Sequence, residues 1–203
     1  MRSALLFSAG KDSSLAALLL DPFYDVTLVS GTFGVVDPEP AREAAAALGF
    51  AHETVELDPA VASEAVERMY ADGYPRNGVQ LVHEHAVERV AAGEWTERVD
   101  AVADGTRRDD RVPTVERPLA QSVEDRFDVD YLAPLAGIGR GAVDDMVADR
   151  LVVETGPSET VAKADYEVEL RAMLVEEYGD GTVDEVFPDH TQSRVRGLSD
   201  GSR

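Results

Sequence analysis

Six consecutive residues near the start of the chain combine the side chains and the flexibility that phosphate binding requires. Small residues let backbone N–H groups approach an anion, and a lysine adds a positive charge. The chain has two lysines, Lys11 and Lys163, among its 19 basic residues, and one of them lies in this segment. The segment is therefore predicted to be an anion site, with a strand-to-helix turn carrying a solvated lysine as the alternative. Its residues are Ser8, Ala9, Gly10, Lys11, Asp12 and Ser13.

The segment is not a Walker A loop. That pattern requires a glycine five positions before Gly10, where Leu5 stands, and a serine or threonine after the lysine, where Asp12 stands.

Short apolar runs alternate with amphipathic segments along the chain, and this alternation predicts how the loop is positioned. It indicates a doubly wound, mostly parallel α/β sheet of about five strands with helices on both faces, of the Rossmann-like type. Strands are predicted at 3–7, 26–29, 51–57, 99–103 and 129–132, and helices at 12–20, 38–48, 60–71, 79–92, 141–151 and 164–178. Residues 1–178 are expected to form one domain, and residues 179–203 a tail that is either mobile or a small hairpin.

Ligands of such sheets bind at the carboxyl ends of the strands, which directs attention to four loops. They span residues 8–13, 30–34, 104–113 and 134–141. Within the third, Asp109 and Asp110 are candidates to hold Mg²⁺ against phosphates, and a solvated charged loop is the alternative.

The first loop resembles the PP-loop of the ATP pyrophosphatase, or adenine nucleotide α-hydrolase-like, superfamily, whose signature is Ser-Gly-Gly-Lys-Asp-Ser. Five of the six positions match, and the departure is Ala9 in place of a glycine. Further along, the segment Ser30, Gly31, Thr32 and Phe33 is similar to the one whose backbone contacts adenine in that superfamily.

Two later segments extend the resemblance. Gly105 and Thr106 are similar to the Gly-Thr turn of NAD synthetase and GMP synthetase relatives. Arg140 follows a Pro-Leu stretch that resembles the one carrying a phosphate-facing basic residue.

The resemblance implies an enzyme that binds ATP and Mg²⁺, cleaves ATP to AMP and pyrophosphate, and thereby adenylates an acceptor for later attack by ammonia or another nucleophile. Ser8, Gly10 and Ser13 would cradle the phosphates, while Lys11 and Arg140 would neutralise their charge. Mg²⁺ would be held by Asp12 together with Asp109 or Asp110. The adenine-facing segment and the Gly-Thr turn would complete the nucleotide site.

Two other functions remain open: a tRNA-modifying PP-loop enzyme, and a nucleotide-binding regulator without turnover, of the universal-stress-protein type. The absence of cysteine excludes thiolate chemistry by this chain itself, so ammonia or an amine is favoured over sulfur as nucleophile, unless another protein delivers the sulfur. The expected partners are ATP, an acceptor and, under the first alternative, tRNA.

The net charge of −21, with 40 acidic residues spread along 203 positions, favours a protein of a salt-accumulating haloarchaeon. No apolar run approaches the roughly 18 residues that a membrane span needs, and no signal peptide is evident, so a cytoplasmic protein is expected.

Other polar residues are assigned structural roles first. His83 and His85 are two positions apart on a predicted helix and therefore make a poor metal pair. A predicted helix begins at Asp165, Tyr166 and Glu167, and the two acidic side chains would stabilise the positive end of its dipole. A substrate-side role is the alternative. A mobile end is the first interpretation of the tail arginines Arg194, Arg196 and Arg203, and a tRNA contact is the second.

Overall fold

A central parallel sheet of five strands forms the middle of the molecule. The computed structural model describes residues 1–93, 99–157, 161, 165–188 and 191–199. The strands are β1 (Arg2–Leu6), β2 (Asp25–Thr32), β3 (Ala51–Glu56), β4 (Ala101–Ala103) and β5 (Asp130–Leu132). Their spatial order is β3-β2-β1-β4-β5, and each neighbouring pair is parallel. The predicted fold class is confirmed.

Helices cover both faces of this sheet, and a small second sheet joins one of them. The helices are α1 (Lys11–Leu20), α2 (Glu39–Leu48), α3 (Pro59–Asp72), α4 (Arg76–Ala91), α5 (Arg117–Phe127), α6 (Arg140–Arg150), α7 (Tyr166–Tyr178) and α8 (Thr182–Val186). The second sheet pairs β6 (Leu151–Pro157) with β7 (Thr191–Leu198) in antiparallel fashion. Among these elements, α5, α8, β6 and β7 were not predicted from the sequence.

Alternating residues of the central strands point to opposite sides and build two separate cores. On one side, Leu5 and Leu28 pack with apolar residues of α1, α2, α6 and the small sheet. On the other side, Leu6 and Val29 pack with residues of α3, α4, α5 and α7. Both faces of a parallel sheet need this cover, because its strands are apolar throughout.

The strand β7 ties the end of the described chain to the first loop. The backbone N–H of Val195 donates to the carbonyl of Ala9 at 2.9 Å, and the buried Arg194 side chain donates to Glu43 on α2 at 2.6 Å. Arg194 therefore lies in an ordered strand and is not available as a mobile tail residue. Arg196 pairs with Glu154 of β6, and Arg203 lies outside the described residues. The domain division at residue 178 stays a prediction.

The strand order creates a switch point beside β1. The chain leaves β1 towards β2 on one side, and β4 lies on the other side. At such a point the connections diverge and leave a crevice at the carboxyl ends of the strands. The loops after β1 and β4 border this crevice.

None of the helices in the part of the chain that the structure describes is long and apolar enough to cross a bilayer.

Candidate functional site

The loop after β1 leads directly into α1 and leaves the helix start open to a ligand. Gly10 is the N-cap residue and has no side chain with which to cap the helix. The first intrahelical bond runs from the N–H of Ser14 to the carbonyl of Gly10 at 3.1 Å. The N–H groups of Lys11, Asp12 and Ser13 therefore have no acceptor within the helix. They form the positive end of the helix dipole.

Ala9, the departure from the glycine of the signature, adopts a left-handed backbone with φ of 59°. A side chain in this region costs about 1 kcal/mol, which explains why glycine is the usual residue. The methyl group of Ala9 is fully buried in the core beneath α1 and does not line the crevice. It therefore leaves the space above the loop free for phosphate.

Three loop N–H groups have hydroxyl partners at long distances. The N–H of Ser8 donates to Ser13 Oγ at 3.4 Å, that of Gly10 to Ser8 Oγ at 3.3 Å, and that of Lys11 to Ser193 Oγ at 3.3 Å. These bonds exceed the usual 2.7–3.2 Å of N–H···O bonds and are correspondingly weak. Phosphate oxygens would form shorter, charge-assisted bonds with the same donors.

Gly105 brings the loop after β4 against this one. A Cβ atom at Gly105 would lie 2.7 Å from both the N and Cα atoms of Ser13. Any other residue would therefore push the two loops apart. The predicted Gly-Thr turn thus packs directly on the anion loop, although Thr106 itself serves a different purpose, described below.

Lys11 and Arg140 lie on neighbouring helix starts and are paired with carboxylates. Lys11 Nζ is 3.0 Å from Asp12 and 3.3 Å from Asp144 of α6. The exposed Arg140 guanidinium is 4.0 Å from Asp109 and 3.9 Å from Asp144. The predicted cations therefore meet at one edge of the crevice, together with acids.

Arg107 occupies the space between the three acids predicted to hold magnesium. Its guanidinium lies 3.0 Å from Asp110, 3.9 Å from Asp12 and 4.0 Å from Asp109. Asp110 also accepts the backbone N–H of Arg107 at 2.7 Å. Burial alone would lower the pKa of Arg107, but the hydrogen bond that it donates to Asp110 and the charge of Asp12 raise this pKa above its ordinary value.

The three predicted ligands converge, but around an arginine. Across the described residues, no three His, Asp or Glu side chains form a group that could hold a metal ion by themselves. Mg²⁺ bound with a nucleotide commonly needs one or two carboxylates, with phosphates and water supplying the rest. Asp12 and Asp109 suit that arrangement, since both are partly exposed and Asp110 is the main partner of Arg107.

A cavity of about 210 Å³ opens beside the loop at the switch point. The loop contributes Ser8, Asp12 and Ser13 to its wall. The start of α7 contributes Asp165, Tyr166 and Glu167 to the wall as well, and a substrate-side role for them stays a prediction. The remaining lining residues are Leu6, Phe7, Gly31, Val79, His83, Asp104, Gly105, Thr106, Asp110 and Pro113.

One part of the predicted adenine segment lines this cavity, and the rest forms hydrogen bonds within the protein. Gly31 lines the cavity. Thr32 Oγ1 and the N–H of Phe33 donate to the buried carboxylate of Glu169 at 2.8 and 2.6 Å. Ser30 donates to the carbonyl of Phe7 at 2.8 Å and lies 3.0 Å from His52. The structure thus brings Gly31 to the cavity and holds Ser30, Thr32 and Phe33 in bonds within the protein.

A buried polar network forms the cavity wall opposite the loop. Asp104 accepts the N–H and hydroxyl of Thr106 at 2.9 and 2.6 Å, and the Tyr131 hydroxyl at 2.8 Å. His83 Nε2 lies 2.9 Å from Asp104 Oδ2, and His83 Nδ1 lies 2.9 Å from the Tyr166 hydroxyl. Burial works against ionisation of Asp104, but the bonds from His83 and Thr106 prevail and lower its pKa.

The sequence interpretation missed His83 and Asp104 as members of the site. For each of the two residues, the sequence carried one indication of a place in the site. His83 falls in the buried stripe of α4 with Val79, Val82 and Ala86, where an imidazole needs polar partners. Asp104 comes immediately after a fully buried strand at the switch point. Nothing in the spacing connects the two, because they come together only through tertiary packing.

Comparison with known proteins places the chain in a family. Residues 1–197 match the model of DUF7411, a family of unknown function. The chain belongs to this family. An uncharacterized protein of Methanocaldococcus jannaschii, MJ0690, is 37% identical over 196 residues, which cover 96% of this chain and 94% of that protein.

Solved structures show similar folds. A crystal structure from Methanocaldococcus jannaschii, described as a predicted subunit of tRNA methyltransferase, superimposes with a TM-score of 0.85 at 35% identity, over 98% of each chain. The U34-tRNA thiolase NcsA of Methanococcus maripaludis, with its [4Fe-4S] cluster, is far more distant, with a TM-score of 0.48 and 16% identity over 73% of this chain and 56% of that one. A likeness as weak as the latter carries no functional argument. The origin of the present chain in a haloarchaeon stays a prediction.

Proposed function

We propose that this DUF7411 protein is a tRNA-modifying enzyme of the PP-loop type. It binds ATP with Mg²⁺ on the loop at residues 8–13 and cleaves it at the α-phosphorus to give AMP and pyrophosphate. The AMP group is transferred to an oxygen of a tRNA base. A nucleophile then attacks the carbon that bears this oxygen and displaces AMP. Its chemistry consists of positioning the phosphates and stabilising their charge.

The observation that carries this proposal is the open helix start at Gly10. Three weakly bonded N–H groups, the dipole of α1 and the Lys11 ammonium converge above a loop that Gly105 holds in place. This combination suits the oxygens of a triphosphate better than any neutral ligand. Arg140, at the start of α6, adds a further cation, which shares Asp144 with Lys11.

The charges around the loop also support a role for Mg²⁺. Lys11, Arg107 and Arg140 face four carboxylates, which belong to Asp12, Asp109, Asp110 and Asp144. A bare triphosphate would meet an environment that is already neutralised. A divalent cation shared between the phosphates and the Asp12 and Asp109 carboxylates would restore the attraction.

The tRNA substrate is supported by the relative described as a predicted subunit of tRNA methyltransferase, which matches this chain over nearly its whole length. Acidic residues outnumber basic ones 40 to 19, so contact with RNA would depend on cations near the site and on high salt that screens the acidic surface.

The test is an assay with ATP labelled at the α-phosphorus, Mg²⁺ and bulk archaeal tRNA in molar KCl. We expect AMP and pyrophosphate, dependent on tRNA and abolished by EDTA. Lys11→Ala should weaken ATP binding roughly 10- to 100-fold, because it removes a charge-assisted contact of about 1.5–3 kcal/mol. Lys11→Arg should also be impaired, since its planar fork differs from a compact ammonium. Arg68→Ala, which removes a cation from α3 on the opposite side of the sheet, is the matched control.

The other outcomes separate the alternatives. ADP as product would show that the assignment to the α-phosphorus is wrong. AMP formed with a small acceptor and not with tRNA would identify a small-molecule ligase. Tight ATP binding without turnover would identify a regulator. ATP binding by Lys11→Ala at wild-type strength would reduce the loop to a structural turn.

A further inference from the structure

A tyrosine, a histidine and an aspartate form a continuous hydrogen-bonded chain in the cavity wall. The Tyr166 hydroxyl is 2.9 Å from His83 Nδ1, and His83 Nε2 is 2.9 Å from Asp104 Oδ2. All three residues line the cavity that also contains Ser8 and Ser13 of the loop. The order of hydroxyl, imidazole and carboxylate is the one that activates a hydroxyl nucleophile in serine hydrolases.

The hydrogen bonds fix where the protons lie. Asp104 is ionised and accepts at Oδ2, so His83 Nε2 must carry a proton and donate it. Burial, together with the charges of Asp165 and Asp104, raises the pKa of Tyr166 well above its ordinary value, so its hydroxyl stays protonated. In a neutral imidazole with its proton on Nε2, Nδ1 is the acceptor, so Tyr166 donates to His83 Nδ1 and its oxygen keeps a lone pair for a donor in the cavity.

The size of the cavity indicates which part of a substrate reaches this chain. At about 210 Å³ it is smaller than the 300–1,000 Å³ of pockets that enclose a whole small-molecule ligand. It has room for one planar base, while the triphosphate lies on the loop at its edge. The Tyr166–His83–Asp104 chain in its wall favours the acceptor base over the adenine of ATP, because the acceptor is the base that loses a proton in the reaction. The base would then stand between the loop and Tyr166.

We propose that Tyr166 is the catalytic acid–base residue of the reaction, that His83 and Asp104 position and charge it, and that the substrate is a base with an N–H beside a carbonyl. This proposal rests on the proposed function. The carbonyl oxygen bonds to the α-phosphorus, and pyrophosphate leaves with the electron pair of the broken P–O bond. The N–H proton of the base passes to Tyr166 Oη as the Tyr166 proton passes to His83 Nδ1. The Asp104 carboxylate stabilises the resulting imidazolium. When ammonia or an amine attacks the carbon of the adenylated C–O group, AMP leaves with the electron pair of the broken C–O bond, and the imidazolium returns its proton through Tyr166 to the leaving AMP.

The matched variants are Tyr166→Phe and Tyr70→Phe. Each removes one tyrosine hydroxyl, but Tyr70 is half-exposed on α3, does not line the cavity and lies outside the Asp104 network. General acid–base catalysis contributes about 10²- to 10⁴-fold. Tyr166→Phe should therefore lower the rate of AMP formation from α-labelled ATP and bulk tRNA at least 100-fold, with ATP affinity within about threefold of wild type. Tyr70→Phe should lower the rate no more than about threefold. Equal rates for wild type and Tyr166→Phe, or equal losses in both variants, would overturn the assignment.

A second measurement does not depend on turnover. In protein with ¹⁵N-labelled histidine, we expect His83 at neutral pH to show a protonated Nε2 and an unprotonated Nδ1, with the Nδ1 shift altered by Tyr166→Phe. A proton resident on Nδ1 would overturn the relay whatever the activity. Wild-type protein that forms no AMP with tRNA would refute the proposed function, and the His83 spectrum would still decide whether the relay exists.

Discussion

Gly105 is the residue through which the strand β4 meets the loop after β1. Its missing side chain allows the backbone of Ser13 to lie where a Cβ atom would otherwise be. The anion loop and the Asp104 network thus share one backbone contact, because Asp104 is the preceding residue. A substitution at Gly105 should therefore affect both the loop at residues 8–13 and the Asp104 network.

Replacing Gly105 by alanine should weaken ATP binding at least tenfold and lower the free energy of unfolding by about 1–3 kcal/mol, because the new methyl group overlaps the backbone of Ser13. Titration calorimetry with ATP and urea unfolding measure the two effects. Gly137→Ala is the control, since its added Cβ would meet no atom within 4 Å. Similar behaviour of the two variants would refute the close-contact argument.

At the scale of elements, β7 is the strand that joins the small sheet to the loop at residues 8–13. Arg194 anchors it, with its side chain only 5% exposed and its guanidinium bonded to Glu43 and to the carbonyl of Pro40. Two residues further along the same strand, Arg196 forms a half-exposed pair with Glu154. The two arginines thus offer a comparison of a buried and an exposed cation on one strand.

Arg194→Ala should cost about 1–3 kcal/mol of unfolding free energy, since it removes charge-assisted bonds from a buried position. Arg196→Ala should cost about 0–1 kcal/mol, as exposed ion pairs do. Chemical denaturation of both variants in molar KCl gives the comparison. Equal costs would show that Arg194 does not anchor the strand.

The sequence was sufficient to predict the central sheet, because most of its strands are short apolar runs, the edge strand β3 alternates, and its helices carry clear boundaries such as Gly49 after α2. The helix α5 escaped prediction because its apolar face is short and only partly covered: Val123 is its buried residue, and Leu119 and Phe127 are partly buried beside it. The strands β6 and β7 escaped for a different reason. They pair across a long separation that contains two helices, and their partners cannot be deduced from local pattern.

For the site, local sequence was sufficient wherever the chemistry lies in consecutive residues, as in the loop from Ser8 to Ser13. It was insufficient where residues converge from distant elements. The arginine among the predicted magnesium ligands and the contact of Glu169 with the Thr32 loop both depend on side-chain packing. The placement of His83 beside Asp104 belongs to the same class.

At the scale of the whole molecule, the charge of −21 is the dominant feature. The Debye length falls from about 30 Å at 0.01 M salt to about 3 Å at 1 M, so the acids repel one another across the protein only in dilute buffer. The carboxylates near Arg107 and Lys11 would also hinder an incoming nucleotide most strongly under those conditions.

Lowering KCl from molar to millimolar concentration should therefore cause loss of helical circular dichroism. Sucrose, which favours compact states without screening charge, should restore less structure than KCl does. A spectrum unchanged in dilute buffer would remove the argument for a salt-adapted protein. It would also strengthen the case that so acidic a surface disfavours RNA.

The bond between Lys11 and Ser193 spans 182 residues of chain. A ribosome makes the loop at residues 8–13 long before the strand β7 that contacts it, and domains generally fold as units. The growing polypeptide would thus carry this loop with α1 and β2 already made but with its β7 contact missing. We therefore expect this protein to bind nucleotide only after β7 has been synthesised and has paired, and not when the loop is newly made.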